Sequence, residues 1–327
     1  MANHLLSVKN LVVEYTSDGQ VIHAVNGVSF DLEKGKTIGL VGETGAGKTT
    51  IAKSILRILP DPPAKIRAGE INYQGRDLMQ ASEVEMRSIR GKSISMIFQD
   101  PMTALNPIMR VGAQIAEVIA LHEHCSKQQA EEKAREMLEM VGIPGSRYRE
   151  YPHQFSGGMK QRVVIAMALA CNPELLLADE PTTALDVTVQ AQVLDMVAEL
   201  RKKYGTSMIM ITHDLGVVAQ VCDTVAVIYA GEVVEYGTKA QLFHHPTHPY
   251  TQGLFGSLPD LDSDVERLSP IEGLPPDPSD LPQGCSFHPR CPYATEACHG
   301  EHVQLKNLGD GHLCRCCNLD KIAKKEG

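Results

Sequence analysis

The chain has no tryptophan among its 327 residues, and aromatic residues make up only 5% of it. Aliphatic side chains must therefore supply most of any core. A hydrophobic share of 43% is enough for one large domain, or one domain with an appendage. No stretch approaches 18 uninterrupted apolar residues, and Met1 to Leu6 hold no apolar segment of signal-peptide length. A soluble chain that is not itself exported is expected. Acidic residues outnumber basic ones, 40 to 31. The formal net charge is −9, which argues against a broad electrostatic grip on nucleic acid. Nine cysteines in a chain without an export signal suggest a reducing compartment, where clustered cysteines hold metal more often than they form disulfides.

What is present is organised around Gly42-Glu43-Thr44-Gly45-Ala46-Gly47-Lys48-Thr49-Thr50, which fits G-x-x-x-x-G-K-[ST]. An apolar run, Thr37 to Val41, precedes it and Ile51 to Leu56 follows, so the order is strand, loop, helix. Glycines at 42, 45 and 47 let the backbone curl and aim successive N–H groups at phosphate oxygens, with the positive end of the helix behind them. Lys48 supplies charge for the β- and γ-phosphates, and Thr49 offers a hydroxyl to Mg²⁺. The stretch reads as a nucleotide site.

Before it, residues 5 to 40 alternate apolar and polar and read as short antiparallel strands, with Tyr15 at a strand end. After it, the strand-like run Ile94 to Phe98 ends in Gln99, where an amide can meet Mg²⁺ or water. Taken alone, Gln99 reads equally as a loop glutamine. Residues 102 to 170 turn helical, with Ser126 and Gln129 spaced as a capping box. Within them Ser156 is placed to cap a helix whose N-terminus is left bare by Gly157 and Gly158, a second anion site.

Leu175 to Leu177 and Ala178 form a buried-type strand ending in Asp179 and Glu180. Asp179 can hold Mg²⁺ through water, and Glu180 can polarise an attacking water. Asp186 lies in the loop that follows. Met208 to Thr212 form another apolar strand, ending in His213, which can bond a γ-phosphate or a carboxylate. A hairpin from Val225 to Tyr236, turning about Gly231, closes the domain.

This ordered set of motifs resembles the nucleotide-binding subunits of ABC transporters over residues 5 to 255. The resemblance implies an α/β fold: an ABC-type nucleotide-binding domain with a P-loop RecA-like core, an antiparallel β subdomain and an inserted helical subdomain at about 100–170. It implies that Tyr15 stacks on adenine, that Gln99 and Asp179 serve Mg²⁺ with Thr49, and that Glu180 and His213 act in hydrolysis. It also implies a head-to-tail dimer in which Ser156, Gly157, Gly158 and Asp186 meet the other subunit's nucleotide. Met159 stands where the family signature often has glutamine.

Beyond residue 255 a proline-rich connector leads to six cysteines between Cys285 and Cys317. Thiolates at this density suit an iron–sulfur cluster or zinc. The string from Leu281 to Pro292 is similar to the C-terminal extension of the peptide-importer subfamily of ABC ATPases, above all the ATP-binding subunits of bacterial dipeptide importers. That likeness implies a [4Fe–4S] cluster on Cys285, Cys291, Cys298 and Cys316, with Cys314 the second choice for the fourth ligand and zinc the alternative cofactor. The expected division is a nucleotide-binding domain, 1–255, and a cysteine-rich extension, 256–327, with a structural role for the cluster.

The resemblance further implies two transmembrane permease subunits, a second related ATP-binding subunit, an extracytoplasmic solute-binding protein and no nucleic acid. The place would be the cytoplasmic face of the bacterial inner membrane, as a peripheral subunit. Dipeptides or short peptides are the implied cargo. Oligopeptides, haem or nickel chelates are carried by other members of the subfamily. A soluble ABC ATPase of DNA maintenance is the rival class, but it would carry tandem cassettes or coiled-coil inserts that the sequence lacks.

Overall fold

The computed structural model describes residues 4–17, 19–182, 187–256 and 271–319. Two fourteen-residue strands come first, β1 (His4–Ser17) and β2 (Gln20–Glu33). They are followed by β3 (Thr37–Val41), α1 (Lys48–Ile55), β4 (Ala64–Tyr73) and β5 (Arg76–Asp77). Next come α2 (Glu83–Ile89), β6 (Ile94–Ile97), α3 (Pro101–Ala104), α4 (Val111–His122), α5 (Lys127–Met140) and α6 (Gly157–Leu169). The chain continues through β7 (Leu175–Asp179), α7 (Val187–Tyr204), β8 (Ser207–Thr212), α8 (Leu215–Val221) and β9 (Thr224–Tyr229). It ends with β10 (Glu232–Thr238), α9 (Lys239–His244), α10 (Pro249–Gly256), β11 (Lys306–Gly309) and β12 (His312–Cys314). Among the described residues no helix is long and apolar enough to cross a membrane.

The chain divides into two compact units. One takes residues up to 5, 32–37 and 78–211, and the other takes 6–31, 38–77 and 212 onward.

In the first unit β6 pairs parallel with β7, and β7 with β8. Each of the three is buried along its whole length, which is why their sequences are near-continuous apolar runs rather than alternating ones. The register sets Ile97 opposite Ala178 and Asp179 opposite Ile211. Residues leaving β6 and β7 therefore emerge side by side at the carboxyl end of the strands, where parallel sheets bind ligands. Four helices of this unit, α2, α3, α5 and α6, begin at a Ser or Asp cap. Ser126 Oγ accepts from Gln129 N–H at 3.3 Å, and the Ser126 N–H donates to Gln129 Oε1 at 2.8 Å, closing a capping box on α5.

In the second unit β2, β1, β4 and β5 form an antiparallel sheet in that order. β1 and β2, at fourteen residues each, are longer than the short strands expected from sequence. A shift in the β1–β4 register between Lys9 and Val13, beside Asn10 at φ 48°, lets one long strand bend and keep pairing. The same unit sets β3 parallel to β9, with β9 and β10 as a hairpin about Ala230 and Gly231.

The C-terminal extension joins this unit. β12 pairs with β10, placing Cys314 opposite Glu235, and β11 pairs with β12. Phe287 is only 2% exposed and packs edge-on against Tyr229 and beside Tyr250, with centroids 5.2 and 5.4 Å away. Ser286 Oγ donates to Glu232 Oε2 at 3.0 Å, and His312 Nε2 meets Glu235 Oε1 at 2.7 Å. Arg315 donates to the Val233 and Val303 carbonyls at 2.9 and 2.7 Å. The extension thus borrows a core from β9, β10 and α10.

Candidate active site

The phosphate loop leaves β3 and enters α1 in the second unit. Two of its glycines have no room for a side chain. A Cβ on Gly42 would lie 2.1 Å from the Ile228 carbonyl oxygen, and one on Gly47 2.2 Å from that of Ala24. Gly47 also sits at φ 96°, in the left-handed region that opens the N-terminus of α1. Lys48 is buried, and its Nζ donates to the Gly42 and Glu43 carbonyls at 2.7 and 2.8 Å. The loop is thereby held in a closed curl around its own lysine. The β9–β10 turn grips it from outside. Gly231 N–H donates to the Ala46 carbonyl at 3.2 Å, and Asn26 Nδ2 to the Ala230 carbonyl at 2.8 Å. Thr44 and Gly45 are exposed at the rim, and Thr49 and Thr50 are half-buried. Tyr15, half-buried on β1, shares a hydrogen bond with the Thr50 hydroxyl at 3.3 Å, so it does stand beside the phosphate loop. His213, also in this unit, is exposed directly after β8.

Glu43 carries three further contacts that were not anticipated from sequence. Its N–H donates to Tyr250 Oη at 2.9 Å. Its carboxylate takes both ends of the Arg290 guanidinium, at 2.9 and 3.0 Å. Tyr250 is wholly buried, and burial together with the Glu43 charge raises its phenol above the ordinary tyrosine value. No sequence signal ties Arg290 to a residue so far upstream.

In the first unit Gln99 Nε2 donates to Glu180 Oε2 at 2.9 Å. Glu180 has φ 45°, and its N–H donates to the Ile211 carbonyl at 2.9 Å, so the turn after β7 is fixed by β8. Asp179, only 2% exposed, closes the strand. Ser156 caps α6 as its type predicts, accepting the Met159 N–H at 3.4 Å. A Cβ on Gly157 would meet nothing within 4 Å, whereas one on Gly158 would lie 2.8 Å from the Val189 side chain. Arg147 Nη1 points at Met159 Sδ, 3.3 Å away. Gln161, which carried no role in the sequence reading, is buried and donates to the Pro181 carbonyl, tying α6 to the segment after Glu180. Asp186 lies outside the described residues.

The cysteines of the extension also converge. Cys285, Cys291, Cys298 and Cys316 line one small enclosed cavity, together with Cys317, His248 and Phe287. Two of those four sulfurs take a backbone N–H, from Thr295 to Cys298 and from Asn318 to Cys316, both at 3.4 Å. Burial still pushes Cys285 and Cys291 up to about 11. Burial pulls Cys298 upward too, but its donors, Thr295, Cys317 and Asn318, outweigh it and leave the thiol below its ordinary value. Cys317 is pushed up to about 12, chiefly by burial, and its sulfur lies 3.3 Å from that of Cys298. Cys314 is buried beside β10 rather than in the cavity lining. Among the described residues no three His, Cys, Asp or Glu side chains close around a single metal ion.

Comparison with known proteins identifies the family. A family model described as ABC transporter matches residues 25–183, and one described as oligopeptide/dipeptide transporter, C-terminal region, matches residues 234–298. The chain is similar to the dipeptide transport ATP-binding protein DppD of Bacillus subtilis, with 51% identity over 98% of this chain and 96% of that protein. It is 50% identical to the oligopeptide transport ATP-binding protein OppD of the same organism, over 98% of this chain and 90% of that one. With DppD of Escherichia coli the identity is 45%, over 95% and 96%. Among solved structures, the post-hydrolysis dimer of the ATP-binding cassette MJ0796 with ADP and Pi matches at a TM-score of 0.65 and 26% identity, covering 72% of this chain and 98% of that one. The chain belongs to the ABC transporter family, as an ATP-hydrolysing subunit that carries the oligopeptide/dipeptide transporter C-terminal region.

Proposed function

We propose that this ATPase drives import of dipeptides or short peptides through two transmembrane permease subunits, fed by an extracytoplasmic solute-binding protein. The observation that carries this reading is the C-terminal region, matched over residues 234–298 and folded onto the phosphate-loop unit. The relatives named for dipeptide and oligopeptide transport align along nearly the whole chain, extension included. The chain would lie at the cytoplasmic face of the bacterial inner membrane and pair with a second, related ATP-binding subunit. Residues 1–255 would form its nucleotide-binding domain, with the helical subdomain at about 100–170, and 256–327 its extension.

Each residue has a role that its chemistry allows. Lys48 balances β- and γ-phosphate charge, and the loop N–H groups from Gly42 to Thr50 cradle the phosphates, while Tyr15 offers its ring to adenine. Thr49, Gln99 and Asp179 serve Mg²⁺. Glu180 takes a proton from the attacking water, and its hydrogen bond to Gln99 supports that orientation. His213 bonds the γ-phosphate. The bare N-terminus of α6 at Ser156, Gly157 and Gly158, with Asp186, completes the partner subunit's site, and closure of the two subunits moves the permease.

We infer that the cysteine cavity would hold an iron–sulfur cluster, with zinc as the alternative. A [4Fe–4S] cluster takes four thiolates and is tuned by hydrogen bonds to sulfur. Cys285, Cys291, Cys298 and Cys316, which line one cavity, offer that donor set, and Cys298 and Cys316 each take a backbone N–H. Cys316 is therefore favoured over Cys314 as the fourth ligand. When bound, the group would cross-link the segments at 285–298 and 316 as a structural staple. An assay of iron, acid-labile sulfide and zinc on anaerobically purified protein tests the cofactor, with about four irons and four sulfides per chain expected. Peptide uptake by cells lacking this subunit tests the transport reading. Unchanged dipeptide uptake would overturn it.

A further inference from the structure

The Glu43–Arg290 pair joins the phosphate loop to the residue next to Cys291, and nothing in ATP hydrolysis as described above uses it. Arg290 is an unusually committed side chain. It is 5% exposed, its Nε donates to the Glu272 carbonyl at 3.0 Å, and its Nη1 reaches Tyr229 Oη at 3.4 Å as well as Glu43. The guanidinium lies 5.8 Å from the centre of the Tyr229 ring and 6.0 Å from that of Phe287. Its backbone is equally fixed, since the Arg290 N–H donates to the Phe287 carbonyl at 3.0 Å and the Cys291 N–H to that of His288 at 3.2 Å. At the other end, Glu43 accepts Lys48 Nζ on its carbonyl and gives its N–H to Tyr250. One residue thus connects the extension, α10 and the phosphate-binding lysine.

We propose that Arg290 is a positioning residue for the ATP site: it neutralises Glu43 and holds the phosphate loop in its ATP-binding curl, so that nucleotide affinity depends on a folded cysteine segment. Two physical effects act together. A bidentate Arg–carboxylate pair fixes direction as well as distance, so it sets the Glu43 carbonyl that Lys48 grips. Without Arg290, Glu43 would also leave an uncompensated negative charge beside a loop built to receive a polyphosphate. The described part of the proline-rich connector strengthens the link. His23 N–H donates to the Pro278 carbonyl at 2.8 Å, and Pro275, Pro276 and Pro278 line a cavity shared with Glu43 and Thr44. The inference rests on the ATPase assignment and adds a control on its substrate affinity.

The test is a double-mutant cycle on the full chain, read as affinity for a fluorescent ATP analogue and as KM and kcat for ATP in the assembled transporter. Arg290→Met should weaken binding and raise KM by about tenfold with little change in kcat, as expected for lost ground-state binding. Adding Glu43→Gln to it should recover most of that loss, because the unpaired charge is gone although the packing is not restored. Arg290→Lys, which keeps the charge but not the fork, should fall between. A merely structural Arg290 would lower the melting temperature equally in the single and double variants, with no recovery of affinity, and that result would overturn the proposal. So would unchanged affinity in Arg290→Met. Failure of the unaltered chain to bind the analogue would instead contradict the ATPase assignment, which keeps the two readings separate.

Discussion

Gln99 Nε2 donates to Glu180 Oε2 across 2.9 Å, linking the two residues that leave the carboxyl ends of β6 and β7. The bond orients one carboxylate oxygen of Glu180. Glu180→Gln should therefore cut phosphate release by at least about 100-fold, the scale of a lost general base, while ATP still binds. Gln99→Ala should slow release less. Steady-state phosphate release alongside equilibrium ATP binding checks both, and a Glu180→Gln variant keeping a tenth or more of normal turnover would contradict the assignment.

Gly42→Ala should abolish nucleotide binding. Its Cβ would sit 2.1 Å from the Ile228 carbonyl oxygen, a backbone atom of β9 that cannot swing aside. The loop must then leave the curl that Lys48 closes. Binding of a fluorescent ATP analogue measures the effect directly.

Gly157→Ala makes the opposite case. A Cβ there meets nothing within 4 Å of its own chain, so the melting temperature should hold. ATPase activity in the assembled transporter should nonetheless fall more than about tenfold if the N-terminus of α6 receives a phosphate from outside the chain. Full activity would remove Gly157 from the composite site.

Phe287→Ala should cost about 3–5 kcal/mol, the usual range for truncating a buried phenylalanine, because Tyr229 and Tyr250 close imperfectly over the hole. The loss should appear first as proteolysis within the extension. Denaturant unfolding with a parallel trypsin digest distinguishes local release from global loss.

Acid should weaken the same region through His248. Burial lowers its pKa to about 4, and its Nδ1 accepts the Tyr250 N–H at 3.1 Å. A histidine held neutral in the fold gives stability that is intact above the unfolded value near 6.5 and is lost as pH falls from there towards 4. The full penalty is about 3 kcal/mol at 1.36 kcal/mol per pH unit. His248→Gln keeps an acceptor without titrating, so its stability should change less across pH 6.5 to 4. Urea unfolding at a series of pH values checks this, and parallel curves for the two proteins would count against it.

Local chemistry alone determined much of this protein. The phosphate loop was legible because the G-x-x-x-x-G-K-T spacing serves a single backbone task, and Ser126 and Ser156 marked helix starts through contacts only three residues long. The runs at Leu175 and Met208 announced buried parallel strands because strands covered on both faces have no polar alternation. Tertiary structure decided what depends on partners distant in the chain. Only β6–β7 pairing brings Gln99 to Glu180, 81 residues apart. Only the docking of the extension on β10 sets Arg290 against Glu43, 247 residues away, and gathers five cysteines around one cavity while turning Cys314 elsewhere. Spacing along a chain records hydrogen bonds made within a turn or a cap, but it carries no trace of which surfaces will be buried against each other.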